Sequence, residues 1–168
     1  MKSDRAAESA EAVIGRLGLI RHPEGGWFRE IHRSVAPLGT PPGYPGERCA
    51  LTAIHFLLPE GEFSAFHRVR SEEVWFHLDG APIELAMLAD APVVTSLAPA
   101  FSGGEPFAIV PPGCLQAARP VGGWALAVCL VAPGFEFADF EIPSRGELLG
   151  RHTAHRELIE RFTRAGEN

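Results

Sequence analysis

The sequence predicts an all-β fold, a sandwich or barrel of short strands with a short helical region at each end. Glycine and proline account for 18 and 15 of the 168 residues and lie between short apolar runs. Many short strands separated by such turn signals are typical of sandwiches and barrels. Hydrophobic residues make up 46% of the chain, enough for a sizeable core. We therefore expect one domain that spans residues 1–168.

Helices are predicted at the two ends of the chain. Apolar residues recur at helical spacing over residues 4–17, where Ser3 or Asp4 can cap the first turn and Gly18 can end the helix. A second helical region is predicted over residues 144–165, as one broken helix or two short ones. It opens with the S-x-x-E pattern of a capping box.

The barrel core is predicted between these helices, over residues 27–142. Its first strand is Trp27–Arg33, and the Pro/Gly-rich residues 35–48 are predicted to form a long loop of the kind that is often functional. Apolar or alternating runs predict eight further strands, at residues 49–58, 63–69, 73–78, 83–88, 93–97, 107–110, 114–118 and 124–131.

Charge and composition exclude several function classes. The formal net charge of -6 argues against a nucleic-acid binder, which needs a basic face. No apolar run reaches the roughly 18 residues of a transmembrane helix, and the first residues lack the apolar core of a secretory signal. Three cysteines without C-x-x-C spacing favour reduced thiols over a disulfide framework or a structural zinc site. We expect a cytoplasmic protein that binds neither nucleic acid nor membrane.

Residues 61–80, GEFSAFHRVRSEEVWFHLDG, place polar side chains on predicted strands. Side chains alternate between the two faces of a strand, so His67 is expected to share the inner face with Phe63, Ala65 and Val69. A polar group inside a small barrel is costly unless it is paired or faces a wet pocket. A pocket is the simplest reason for a histidine at this position.

The same alternation extends the predicted pocket. Glu73, Trp75 and His77 share one face of the next strand, and Gln116 faces the interior from a later strand. We predict that His67, Glu73 and Gln116 converge. In this prediction Gln116 and His77 hydrogen-bond a ligand, and Trp75 forms an apolar wall.

The spacing of these residues resembles the first cupin motif. That motif reads glycine, five residues, H-x-H, three or four residues, glutamate, six residues and glycine. Gly61, His67, Glu73 and Gly80 match it, and Val69 stands where the second histidine would be. The sequence therefore retains one of the two histidines of this motif.

The second cupin motif, a P-x-G turn followed by a histidine, resembles residues 111–116, where Gln116 takes the histidine's place. Together with HPEGGWFRE, TAIHFLL and APGFEFADFE, the two motifs resemble an uncharacterised cupin family whose members are labelled predicted sugar epimerases. The resemblance covers about residues 17–162. It implies a double-stranded β-helix, the cupin jelly-roll barrel, and a homodimer whose interface includes Trp27–Arg33.

An isomerase or epimerase that acts on a sugar-like carbonyl compound, including a nucleotide sugar, is the first function class. Histidine titrates near neutral pH and suits a general base, so His67 is the candidate. Similarity to the cupin epimerases of the rhamnose pathway implies a carboxylate partner, either Glu73 or Asp139. It also implies a tyrosine acid, for which the chain offers Tyr44. Arg29 is a candidate for binding phosphate or carboxylate.

Two other function classes remain open: a small-ligand binder without catalysis, and a metal-dependent cupin with the reduced ligand set His67, Glu73 and Gln116. Metal-binding cupins use three histidines and one glutamate, and a glutamine amide is a weak ligand beside imidazole. We expect no cofactor, or at most a weakly held divalent metal.

Overall fold

The computed structural model describes residues 8–89 and 91–166, which form a helix, eleven strands and two further helices in that order. The helices are α1 (Ala10–Leu17), α2 (Arg145–Arg151) and α3 (Arg156–Arg161). The strands are β1 (Ile20–Arg21), β2 (Trp27–Arg33), β3 (Thr52–Leu58), β4 (Ser64–Val69), β5 (Glu72–Gly80), β6 (Ile83–Leu88), β7 (Pro92–Leu97), β8 (Phe107–Val110), β9 (Leu115–Pro120), β10 (Ala125–Ala132) and β11 (Phe140–Glu141). None of these helices is long and apolar enough to cross a membrane.

The strands form two antiparallel sheets that face each other. One sheet has the order β1-β2-β3-β10-β5-β8 and the other β11-β4-β9-β6-β7. The inner faces meet in a core that includes Phe56, Trp75 and Leu85. The predicted all-β fold with short terminal helices is confirmed.

The helices cover the outer faces of the sheets unequally. Phe162 and neighbouring apolar residues of the C-terminal helices pack on the outside of the five-stranded sheet. At the other end of the chain, α1 places Val13 against Leu57 and Leu126, on one end of the six-stranded sheet. The rest of that outer face carries exposed apolar side chains, including Phe76 and Phe107.

Helix α1 begins later than predicted. Ser9 caps it by accepting a hydrogen bond from the Ala12 amide at 3.3 Å, and Gly18 ends it at φ 62°. The predicted caps Ser3 and Asp4 lie outside the described residues. At the other end, the capping box of Ser144 opens α2, and two short helices follow each other as one of the two predicted alternatives.

Strand β4 contains a bulge that changes the predicted facing of its side chains. Ser64 pairs with Ala118 and His67 with Gln116, so β4 has one residue more than β9 between these pairs. A bulge of this kind shifts the alternation of side chains by one residue, so simple alternation does not hold across it. The expectation that Phe63 shares the inner face with His67 is therefore wrong, because Phe63 packs outside the barrel against Phe162, with ring centroids 6.3 Å apart.

Candidate functional site

A cavity of about 110 Å³ opens between the two sheets at one end of the barrel. Its walls combine aromatic rings with carboxylates. The aromatic lining consists of Phe28, Phe56, Trp75, Phe135, Phe137 and Phe140, and the ionisable lining of His22, His67, Glu24, Glu30, Glu73, Glu136 and Arg33. Ile54, Val69, Val131, Thr52 and Cys129 complete it.

Glu24 reaches this cavity from the turn between β1 and β2. Gly25 and Gly26 follow it at φ 112° and 73°, a region of backbone space that favours glycine. The Glu24 carbonyl accepts a hydrogen bond of 2.8 Å from the Ala65 amide, within the bulged part of β4. The glycine pair and this bond together fix a glutamate that is 5% exposed.

Glu24 is the carboxylate in contact with His67. The His67 Nε2 lies 3.3 Å from Glu24 Oε2, and the Ser64 hydroxyl donates to Glu24 Oε1 at 2.8 Å. The His67 Nδ1 lies 2.9 Å from the Ala65 carbonyl, which only accepts, so Nδ1 carries a proton. The other ring nitrogen, Nε2, therefore faces the Glu24 carboxylate. His22 Nδ1 lies 3.3 Å from the same Glu24 oxygen.

Glu73 is buried in the same cavity within a second hydrogen-bond network. The Trp75 indole donates to Gln116 Oε1 at 2.8 Å, and Gln116 Nε2 donates to Glu73 Oε2 at 2.5 Å. An indole N–H only donates, which fixes the orientation of the Gln116 amide. Gln116 thus lies behind the cavity wall and holds Glu73 in place.

The two buried glutamates have pKa values displaced in opposite directions. For Glu24, burial alone would raise the pKa, but the His67 and His22 rings and the Ser64 hydroxyl lower it below its ordinary value. For Glu73, burial raises the pKa, His67 opposes this, and the charge of Glu24 raises it further. Glu24 therefore ionises readily, whereas Glu73 retains its proton to a higher pH.

His67, Glu73 and Trp75 line the cavity, whereas Gln116, predicted to bond a ligand, lies behind the wall with both ends of its amide bonded to Trp75 and Glu73. His77 and Arg29 lie elsewhere. His77 is two residues beyond Trp75 along β5, past the cavity, where its Nε2 lies 2.9 Å from the Ala81 carbonyl. Arg29 is exposed on the outer face of β2, because its neighbours Phe28 and Glu30 face inward.

Asp139 and Tyr44 also lie outside the cavity lining. Asp139 accepts two hydrogen bonds from Arg48, at 2.7 and 2.9 Å, so it is not the partner of His67. The Tyr44 hydroxyl lies 3.1 Å from the Ser71 hydroxyl, and its ring lies under Arg48. The long loop therefore contacts Ser71 and Asp139 beside the cavity, through Tyr44 and Arg48, but Tyr44 does not line the cavity.

Residues 11–143 match the protein family described as Cupin superfamily (DUF985). The chain belongs to the cupin superfamily. Among solved structures, this cupin is similar to a protein from Shewanella oneidensis, at 32% identity over 94% of this chain and 98% of that one, with a TM-score of 0.85. It is also similar to a hypothetical protein from Leishmania major, at 28% identity over 93% and 99% of the two chains, again with a TM-score of 0.85.

More distant similarity shows the fold alone. The oxalate decarboxylase of Bacillus subtilis shares 14% identity over 84% of this cupin and 36% of that chain, with a TM-score of 0.54. No curated protein matches the chain. These similarities, together with the two facing sheets, confirm the predicted jelly roll.

The metal ligand set of cupins does not fit the residues of this cavity. Val69 offers no donor atom at the second histidine position, and the Oε1 of Gln116 accepts the Trp75 indole N–H. Within residues 8–89 and 91–166, no three His, Cys, Asp or Glu side chains are placed to hold a metal ion. The predicted reduced set of His67, Glu73 and Gln116 therefore lacks its third ligand.

The site also contains Glu24, His22, Arg33 and the aromatic segment 135–140, which were not predicted as parts of it. The HPEGG turn contained a signal for the first two: a histidine and a glutamate two residues apart, followed by a glycine pair that turns the chain. Three phenylalanines within six residues, in GFEFADF, were the signal for the aromatic rim.

Proposed function

We propose that this cupin catalyses proton transfer at the carbon next to a carbonyl group in a small sugar-like compound, as an isomerase or epimerase does. The observation that carries the proposal is the pair of buried carboxyl groups in one cavity: Glu24 lies 3.3 Å from His67, whereas Glu73 accepts a hydrogen bond from the neutral Gln116 amide. Environments that push two titratable groups apart assign the base and the acid of a site. The resemblance of the sequence motifs to cupins labelled predicted sugar epimerases is in line with this chemistry.

Glu24 and His67 act as the base unit in this proposal. The ionised Glu24 takes the proton from the substrate carbon, and His67, at 3.3 Å, stabilises the carboxylate and shares the proton. Glu73 donates its proton to the carbonyl oxygen as the enediol forms. When a carbonyl group is restored, Glu73 recovers a proton from oxygen and Glu24 returns a proton, exchangeable with solvent, to carbon. The rate should therefore rise as Glu24 ionises and fall as Glu73 loses its proton, which gives a bell-shaped pH profile.

Deuterium incorporation from solvent tests the reaction. The full chain is incubated in D₂O with a panel of small aldoses, ketoses and amino sugars, and NMR follows the carbon next to each carbonyl. We expect incorporation that is unchanged by a chelator. Binding without incorporation would instead support a non-catalytic ligand-binding cupin, and incorporation that a chelator abolishes and added metal restores would support a metal-dependent enzyme.

We also propose that this cupin forms a homodimer through the uncovered outer face of the six-stranded sheet. Phe76 of β5 and Phe107 of β8 are neighbours in register, 39% and 47% exposed, and exposed Ile109 lies beside them. A contiguous apolar face of this kind usually marks an interaction site. The predicted interface segment Trp27–Arg33 belongs to the same sheet and exposes Ile31.

The dimer predicts a mass of twice 18.1 kDa in light scattering at micromolar concentration. Phe76→Glu places a charge in the apolar face and should give a monomer. Val94→Glu is the matched control, because Val94 is also an exposed apolar residue on a strand but lies on β7 of the other sheet. A monomeric wild-type protein would contradict the proposal.

A further inference from the structure

The charge and chemistry of the cavity lining identify a class of ligand. We propose that the cavity takes a small organic cation, an amine-bearing carbonyl compound such as an amino sugar, and rejects phosphorylated and nucleotide-linked sugars. The carbonyl part of this ligand rests on the proposed function. The positive charge of the ligand is inferred from the cavity lining alone.

Arg33 is the basic residue of the lining, and its guanidinium is already engaged. Its Nε and one terminal nitrogen donate to the two oxygens of Glu30, at 3.1 and 2.9 Å, and the other terminal nitrogen donates to Glu136 at 2.8 Å. Further contacts reach the Phe135 carbonyl and the Cys49 sulfur. The hydrogen bonds and charge of Glu30, with the charge of Glu136, raise the pKa of Arg33 above its ordinary value. A phosphate or carboxylate ligand would therefore find no free guanidinium or ammonium group among the described lining residues, and the His22 and His67 rings already face Glu24.

The mouth of the cavity carries a net negative charge, since two carboxylates face one guanidinium. Deeper in the cavity, the His67 and His22 rings each lie 3.3 Å from the Glu24 carboxylate, so the excess charge is that of the mouth. A neutral sugar would leave this excess of negative charge uncompensated, and an anion would add to it. A single positive charge at the mouth offsets it, although solvent screens the half-exposed groups there.

Aromatic rings favour the same class of ligand. Phe135, Phe137 and Phe140 form one wall, with ring centroids 5.1 to 6.0 Å apart and interplanar angles of 67° to 90°. The His22 ring lies 4.6 Å from Phe28 and packs against Phe140 as well. The face of a phenyl ring carries negative electrostatic potential, so it attracts a cation and repels an anion.

Calorimetric binding to the full chain tests the inference with three probes of one skeleton: glucosamine, glucose and glucose 6-phosphate. At low ionic strength we expect glucosamine to bind about tenfold tighter than glucose, and glucose 6-phosphate not to bind. Galactosamine and tetramethylammonium extend the cationic set. The glucosamine preference should shrink as salt is added, because the mouth is exposed.

Variants of the mouth sharpen the test. In Glu30→Gln and Glu136→Gln, the preference for glucosamine over glucose should fall about 3- to 10-fold, with glucose affinity unchanged. The double variant releases Arg33, so it should gain binding of glucose 6-phosphate. Glu141→Gln is the matched control, because this exposed glutamate pairs with Arg68 outside the cavity.

Glucose binding as tightly as glucosamine, glucose 6-phosphate binding tightest, or no binding by any amine probe at millimolar concentration would each overturn the inference. These outcomes are separable from failure of the proposed reaction. An amine that binds without deuterium incorporation refutes the reaction and leaves the ligand charge standing. Deuterium incorporation into neutral sugars alone supports the reaction and refutes the proposed charge of the ligand.

Discussion

Replacing Glu24 with glutamine is expected to lower the rate of deuterium incorporation by about 10²- to 10⁴-fold, the usual contribution of a general base. The glutamine amide can still accept the Ser64 hydrogen bond, so the turn keeps its geometry. It cannot share a proton with His67 at 3.3 Å. The measurement is the initial rate of incorporation by NMR, with binding of the same compound measured in parallel.

Glu73→Gln and Glu72→Gln separate chemistry from packing. Glutamine at position 73 can still accept from Gln116 Nε2 but has no acidic proton, so the rate should fall there too. Glu72 is next to Glu73 on β5 but is exposed, so its replacement should leave the rate unchanged. An undiminished rate in a folded Glu24→Gln variant would show that Glu24 is not the base.

Replacing Arg48 with alanine is expected to lower the free energy of unfolding by about 3–5 kcal/mol, the usual cost of removing one partner of a buried ion pair. The Arg48 and Asp139 side chains are 4% and 2% exposed. Arg70, 3.4 Å from Asp139, compensates for part of the loss. Because Phe137 and Phe140 flank Asp139, ligand affinity should weaken as well. Urea unfolding measures the stability.

Arg68→Ala is the control for this loss. Arg68 and Glu141 form a comparable pair at 2.7 Å, but their side chains are 36% and 52% exposed, so we expect a loss below about 1 kcal/mol. The double variant Arg48→Met with Asp139→Leu should recover most of the stability, because no buried charge is left unpaired. Equal losses in Arg48→Ala and Arg68→Ala would contradict this account of the rim.

The strands and the positions of His67, Glu73 and Trp75 could be predicted because they depend on local signals. Glycine and proline turns separate the strands, and alternation along β5 correctly brought Glu73 and Trp75 to the same face. The two cupin motifs predicted that Gln116 and His67 converge, and the structure pairs these two residues across β4 and β9.

The rest of the site depends on register shifts and distant contacts that no local pattern reveals. A shift in pairing between β2 and β3 lies between Glu30 and His32, so Glu30 and Arg33 both reach the cavity although they are three positions apart in the chain. The bulge in β4 likewise brings the side chains of both Ser64 and His67 to Glu24. One extra residue reverses the facing of all that follow, so simple alternation gave the wrong facing for Phe63 on β4 and could not have located Glu30 and Arg33 on β2. Glu24 is 43 residues from His67 in the chain, and only the folded barrel brings them together.

The most direct test of the account is a pH titration of the glutamate side-chain carboxyl groups by carbon-13 NMR, with the two buried resonances assigned through Glu24→Gln and Glu73→Gln. The account predicts that Glu24 titrates below, and Glu73 above, the ordinary glutamate value of about 4.3. In the Glu73→Gln variant the pKa of Glu24 should stay below that value, because His67 and Ser64 hold its charge. Two carboxyl groups that titrate together near the ordinary value, or in the reverse order, would contradict the assignment of Glu24 as base and Glu73 as acid.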